Sequence, residues 1–322
     1  MSHSYGTLCV IGLLHFWGLE FMVIFLYQFG PTVVALLLAC GVSFIRRRSH
    51  VVLPKTVRQF TSVGIVLALG FMITFTAWSV FPWWMPHVSE DTVLFLQLGR
   101  YLAPLVLTVV ALVLLIVPVP APGPRGTAAL APRTLMTFTS RAWLGSAVGV
   151  MAVVSSIAFF AGLASSPDER GRHVMFVVRS SANSSASTTI YGWWFSTPCL
   201  IMIAVIAMIV LVALIMISRP ALAVDSQRDT AVRVARIGNV LSVSTGGLLL
   251  HLSVVLQSLS NTSSLRTGQA GWFELGTSFA ALGPALQLAS LLSFICGMAM
   301  WWSTLLTVLP ARTRQTSRAA LA

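Results

Sequence analysis

The stretch Arg46-Arg47-Arg48-Ser49-His50-Val51-Val52-Leu53-Pro54-Lys55-Thr56-Val57-Arg58 decides the fold. It sets Arg46, Arg47, Arg48, Lys55 and Arg58 between two long apolar runs. Of the 322 residues, 57% are hydrophobic and 9% are charged, and the mean hydropathy is +0.88. A soluble domain carries about 25% charged residues. A chain this apolar takes the bilayer as its solvent, and a basic cluster between apolar runs reads as a cytoplasmic loop. The net charge of +12 does not argue for nucleic acid, because the cations lie at the ends of apolar segments rather than on one basic face.

A spanning helix needs about 20 apolar residues. Upstream of the cluster, Thr7 to Ile45 is apolar over nearly twice that length, so the run is expected to fold as two helices. Gln28-Phe29-Gly30-Pro31 supplies the turn, since Gly frees the backbone and Pro suits the first turn of a new helix. The expectation is an all-α, polytopic membrane bundle of about eight spans in one domain. These are 7–27, 31–46, 60–81, 93–117, 143–164, 197–218, 238–258 and 284–308. Met1 to Thr7 lacks Lys and Arg, so a cleavable leader is not expected.

The connections carry the remaining signals. Residues 118–141 hold Pro118, Pro120, Pro122, Pro124 and Pro132, too dense for a helix, and read as a hinge between halves. Residues 165–194 form the longest polar loop. Within it Met175-Phe176-Val177-Val178 and Thr188-Thr189-Ile190-Tyr191 are candidates for a β-hairpin. Arg219 to Arg236 reads as a short basic surface helix. Gly145 and Gly149 make a GxxxG, read as a packing motif. Cys9, Cys40, Cys199 and Cys296 lie in or beside apolar segments, without metal spacing, and read as small buried hydrophobes.

If the Arg46–Arg58 loop is cytoplasmic, alternation brings 118–141, 219–236 and the C-terminal tail to the same side. That side then also holds Arg125, Arg133, Arg141, Arg219, Arg228, Arg233, Arg236, Arg312, Arg314 and Arg318. The other side keeps Arg170, Arg172, Arg179 and Arg266, with Glu90, Asp91, Asp168, Glu169 and Glu274. The expected location is the plasma membrane, multi-pass, with the C-terminus in the cytoplasm.

Charged and ionisable side chains inside hydrocarbon raise a functional hypothesis. The candidates are Glu20 and His15 in the first span, His251 in the seventh, and Arg100 near the outer end of the fourth. Glu20 admits two readings: a packing carboxyl, neutral or paired with Arg100, or a proton- or cation-carrying group of a transporter. His15 and Glu20 are five apart and sit about 140° around a helix, so they do not line one face. His15 and His251 as haem ligands is the remote reading; a neutral imidazole hydrogen-bonded to a neighbouring helix is the plain one. Asp168, Glu169 and His173 read as turn capping rather than a cation site. No HExxH, ExxH, Walker A or GxSxG pattern is present, so no catalytic residue, metal or cofactor is expected.

Leu163-Ala164-Ser165-Ser166-Pro167-Asp168-Glu169-Arg170-Gly171-Arg172 resembles a set of actinobacterial multi-pass membrane proteins. The likeness extends to Leu130-Ala131-Pro132-Arg133 and Tyr191-Gly192-Trp193-Trp194-Phe195, over roughly residues 60–309. That family has no established activity. The resemblance implies the topology and no mechanism. The functional expectation is a structural or accessory membrane protein. Its partners would be the bilayer and a membrane protein docked on loop 165–194. The alternative is a small-molecule or ion transporter using Glu20.

Overall fold

The computed structural model describes residues 26, 29–45, 53–78, 89–116, 138–179, 185–218, 226–269 and 273–308. Seven helices run through them: α1 (Phe29–Ile45), α2 (Lys55–Trp78), α3 (Glu90–Ile116), α4 (Arg141–Leu163), α5 (Trp193–Ser218), α6 (Ser226–Ser263) and α7 (Gly283–Val308). The last six are long and apolar enough to cross a membrane, whereas α1 has 17 residues or fewer of apolar helix. At ~1.5 Å per residue α1 reaches about 25 Å, short of the ~30 Å hydrocarbon core. Six long apolar helices, not eight, are therefore present among the described residues. The expected span 7–27 lies outside them, as do Arg46, Arg47, Arg48 and the Pro-rich segment 117–137.

The bundle is built around α6. Of the residues in its apolar window 83% are buried, against 17–44% in the other five long helices. This placement explains its composition. Outer helices face lipid and must be apolar, while a helix enclosed by protein can spend polar side chains on its neighbours. Ser290 Oγ of α7 donates to the Ser253 carbonyl at 2.7 Å, Trp301 Nε1 to the Val243 carbonyl at 3.1 Å, and Thr307 Oγ1 to Asn239 Oδ1 at 3.2 Å. Two adjacent glycines set the helix spacing. A Cβ on Gly246 would lie 2.7 Å from Trp301 Cδ1, and one on Gly247 would overlap Thr108 of α3. One glycine thus admits α7 and the next admits α3.

α6 corrects two expectations. The basic segment before residue 236 is not a separate surface helix; it is the first three turns of one 38-residue helix. Nor are Arg233 and Arg236 loop charges. Arg233 is fully buried and Arg236 is 6% exposed. Arg233 Nε donates to Asp229 Oδ2 at 2.9 Å, and its Nη1 donates to the Ile217 and Ser218 carbonyls at 2.6 and 2.7 Å. Arg236 Nη2 donates to the Leu115 carbonyl at 3.3 Å. Each guanidinium thus meets the last carbonyls of α5 or α3, where the helix dipole is negative and the backbone acceptors lack intrahelical donors. The Phe138 ring lies under Arg233 at 5.3 Å.

The GxxxG of α4 meets no partner among the described residues. Gly145 and Gly149 are exposed, and a Cβ at either would meet nothing within 4 Å. Their face of α4 meets none of the described residues.

At the opposite end from Arg233 the loops fold into strands. β1 (Ser166–Pro167), β2 (His173–Arg179) and β3 (Ser185–Thr189) form an antiparallel sheet in that order, and β4 (Arg266–Gln269) pairs with β5 (Phe273–Gly276). The hairpin expected from 175–178 and 188–191 is present, with Met175 opposite Thr189 and Phe176 opposite Thr188. Phe176 meets Phe279 edge to face at 5.6 Å, joining the two loop regions. The β1–β2 turn closes on Gly171, whose φ of 75° is left-handed and favours glycine.

Asp168 organises that turn. Its carboxylate accepts the Arg170 and Arg172 backbone N–H groups at 2.9 and 2.8 Å and the Arg172 Nε at 2.7 Å. The Arg172 guanidinium also reaches Asp91 at the start of α3, at 2.8 Å, and Arg170 pairs with the same carboxylate. The Asp168 oxygens are thus occupied by N–H donors, which supports the capping reading over a cation site. Burial opposes ionisation of Asp168, but these donors outweigh it and hold its carboxyl below the usual value of 3.8. A depressed folded value stabilises the loop above the unfolded pKa, and that stabilisation is lost as pH falls through the folded one. Amide exchange over 166–179, corrected for intrinsic rate, should therefore be slow at neutral pH and accelerate below about pH 4. Asp168→Asn should remove most of that pH dependence.

Candidate functional site

Beneath the sheet, α3, α5 and α6 enclose a polar cluster in the apolar interior. Its centre is His251 of α6, which is fully buried. His251 Nδ1 lies 2.8 Å from the Tyr101 carbonyl of α3, and Nε2 lies 3.3 Å from Tyr191 Oη, just before α5. A carbonyl oxygen only accepts, so Nδ1 carries the hydrogen. In that neutral tautomer Nε2 is the acceptor and takes the Tyr191 hydroxyl. Tyr101 Oη in turn donates to Ser258 Oγ at 2.7 Å. The Tyr101 ring lies 4.6 Å from the Tyr191 ring and 5.3 Å from Phe195.

Pro104 lies inside α3 and has no N–H for the carbonyl of Arg100. The Tyr101 carbonyl, one residue on, has two lone pairs, and it accepts the His251 Nδ1 hydrogen on the side facing α6. His251→Leu should therefore lower stability by about 1–3 kcal/mol, the cost of stranding buried polar partners. Tyr191→Phe should cost about 1 kcal/mol or less. Thermal unfolding midpoints of the detergent-purified full chain check both.

The plain reading of His251 thus agrees with its geometry. Both ring nitrogens face hydrogen-bond partners, which leaves none for a haem iron. His15 and Glu20, the other interior candidates, lie outside the described residues, so the Glu20–Arg100 pairing does too. Lys55 and Arg58 open α2 at the Arg233 end of the bundle, where Leu53 packs against Val232.

Arg100 is exposed and lines a cavity of about 260 Å³ between α3, β3 and α6. The wall includes Gln97, Tyr101, Thr188, Ser258, Asn261 and Thr262. The Tyr101–Ser258 hydrogen bond belongs to this wall, so the cavity sits directly against the buried His251 cluster. Thr262 Oγ1 approaches the Thr189 carbonyl at 3.3 Å and ties the sheet to α6 beside it. Sequence reading picked out Arg100 and His251 as isolated polar residues but missed Tyr101, Tyr191 and Ser258. No group of three or more His, Cys, Asp or Glu positioned to hold a metal occurs among the described residues. Of the cysteines described, Cys40 and Cys296 are exposed and Cys199 is buried, and all three are free thiols.

The fold defines the class: an α-helical, multi-pass membrane protein with a small β cap at one end of its bundle. No family model, curated protein or solved structure matches the chain.

Proposed function

We propose that this is a non-catalytic accessory protein of the plasma membrane, whose bundle holds the β cap rigidly for a membrane-protein partner. In this reading residues 7–27 and α1 complete about eight spans. The Arg46–Arg58 segment and the C-terminus are cytoplasmic, and residues 165–194 face outward. The observation that supports it is how the cap is anchored. Arg170 and Arg172 bind Asp91 of α3, Thr262 of α6 meets β3, and Phe176 packs on Phe279. A loop tied to three separate elements keeps its shape, and a fixed shape is what a docking surface needs.

Photoreactive residues at the exposed positions Ser185 and Ser187 of β3 test it in native membranes. The expected result is crosslinking to one protein species. Crosslinks confined to lipid would reject the accessory reading. A fluorescent protein fused to the C-terminus should fold and emit in the cytoplasm; a dark fusion would reverse the orientation.

The cavity beside Arg100 favours a second reading, a small-molecule or ion transporter using Glu20. Under it, Glu20→Gln in reconstituted vesicles abolishes flux of the transported species, and unchanged flux removes the carboxylate from the mechanism.

A further inference from the structure

The cavity between α3, β3 and α6 is lined mostly by polar side chains, with Arg100 as the cation. Arg100 lies ten residues into α3, about 15 Å from the helix start. Among the described residues no acidic side chain lines the cavity or pairs with Arg100. The surrounding hydrogen bonds point the remaining groups the same way. Asn261 Oδ1 accepts from Gln257 Nε2 at 3.1 Å, which leaves the Asn261 amide N–H₂ to donate. Ser258 Oγ accepts the Tyr101 hydroxyl, so its own hydrogen is free for a second partner. A guanidinium, an amide and a hydroxyl on one wall, with no carboxylate among the described lining residues, form a donor set for an oxyanion.

Size narrows the class. A volume of about 260 Å³ is many times the ~10–15 Å³ that one water needs on the same measure, too large for a monatomic anion alone. We infer that this cavity binds a phosphate ester, with Arg100 paired to the phosphate and Asn261 and Ser258 donating to its oxygens. The same chemistry is offered by a phospholipid headgroup and by a soluble phosphate ester. The inference rests on the cavity and does not depend on the accessory reading.

Two arms separate the sources. In the first, the detergent-purified full chain is titrated with glycerol 3-phosphate and with glycerol, and binding is followed by the thermal unfolding midpoint. In the second, native mass spectrometry counts phosphatidylglycerol retained on chains released from nanodiscs of mixed phosphatidylglycerol and phosphatidylcholine. A soluble ligand raises the midpoint with glycerol 3-phosphate and not with glycerol. A lipid ligand leaves retained phosphatidylglycerol. Arg100→Gln should weaken whichever binding is seen roughly 10- to 100-fold, as expected for losing one charged hydrogen-bond partner, and Arg100→Lys should restore part of it. Arg100 is exposed, so the variants should fold, and unchanged circular dichroism verifies this. Binding in neither arm, or binding equal in wild type and Arg100→Gln, overturns the inference. Glu20→Gln is expected to bind like wild type. If only Glu20→Gln binds, the chain's own carboxylate occupies Arg100 and the inference fails.

Discussion

Gly247→Ala is expected to lower the stability of the folded bundle by about 3 kcal/mol or more, the upper part of the range for overpacking a helix crossing. Two effects oppose each other here. Alanine is the better helix former by roughly 1 kcal/mol, so the backbone favours the substitution. The space does not. The new Cβ would overlap Thr108 Oγ1 and stand 2.8 Å from Thr108 Cβ and 3.0 Å from its Cγ2. Thr108 cannot swing away, because it is fully buried and its hydroxyl donates to the Pro104 carbonyl at 2.6 Å. The clash is with a side-chain root, so α3 and α6 must separate. Gly145→Ala is the control: nothing lies within 4 Å of its Cβ, and it should be neutral or stabilising by up to ~1 kcal/mol. Unfolding midpoints of the two variants in one detergent make the comparison. A Gly247→Ala chain as stable as Gly145→Ala would mean that α3 and α6 do not cross at this point. Thr108→Gly combined with Gly247→Ala should recover part of the loss.

Arg233→Met should cost about 3–5 kcal/mol, the range for removing one partner of a buried ion pair. Methionine keeps the apolar stem but takes away the donor to Asp229 and to the Ile217 and Ser218 carbonyls. Those carbonyls end α5 at the buried residues Ile217 and Ser218, so losing the guanidinium strands them. Asp229→Asn alone should also destabilise, since Arg233 keeps its charge and loses its carboxylate. The double variant should lose less than the two single losses combined, as coupled partners do. Equal additivity in such a cycle would show that Asp229 and Arg233 do not interact. Arg58, only partly buried at the start of α2 and without an ion pair among those of the described residues, serves as the control, and Arg58→Met should change stability by about 0.5 kcal/mol or less.

Some features were legible because they depend on local chemistry. The apolar runs and their Arg-rich ends define a polytopic helical protein before any contact is known. The β-hairpin was legible because β-branched and apolar residues cluster at 174–178 and polar, turn-forming residues separate them from Thr188 and Thr189. His251 was legible as a hydrogen-bonded imidazole because a lone polar group in an apolar span must find a partner. Its partners were not, since Tyr101 and Tyr191 lie 150 and 60 residues away.

Other features depend on which surfaces meet. An arginine at the end of an apolar span has the same sequence signature whether it faces lipid phosphates or the last carbonyls of another helix. Arg233 and Arg236 do the second, so the basic segment continues as helix where hydropathy alone breaks it. Likewise a GxxxG and a Gly-Gly pair are only permissions for close approach. Gly145 and Gly149 meet none of the described residues, while Gly246 and Gly247 set the spacing of α7 and α3 around α6.

The sequence by itself determined the solvent, the helical class and the alternation of basic and acidic connections. These follow from the transfer energies of individual side chains, which need no knowledge of the neighbours. Only the tertiary structure decided that α6 is the central helix and that Arg233 is an interior cap. It also decided that Arg100, Asn261 and Ser258 share one cavity. In a bilayer, lipid and protein are equally apolar surroundings, so hydrophobicity does not say which face of a helix meets another helix. Close packing and the pairing of buried polar groups make that choice.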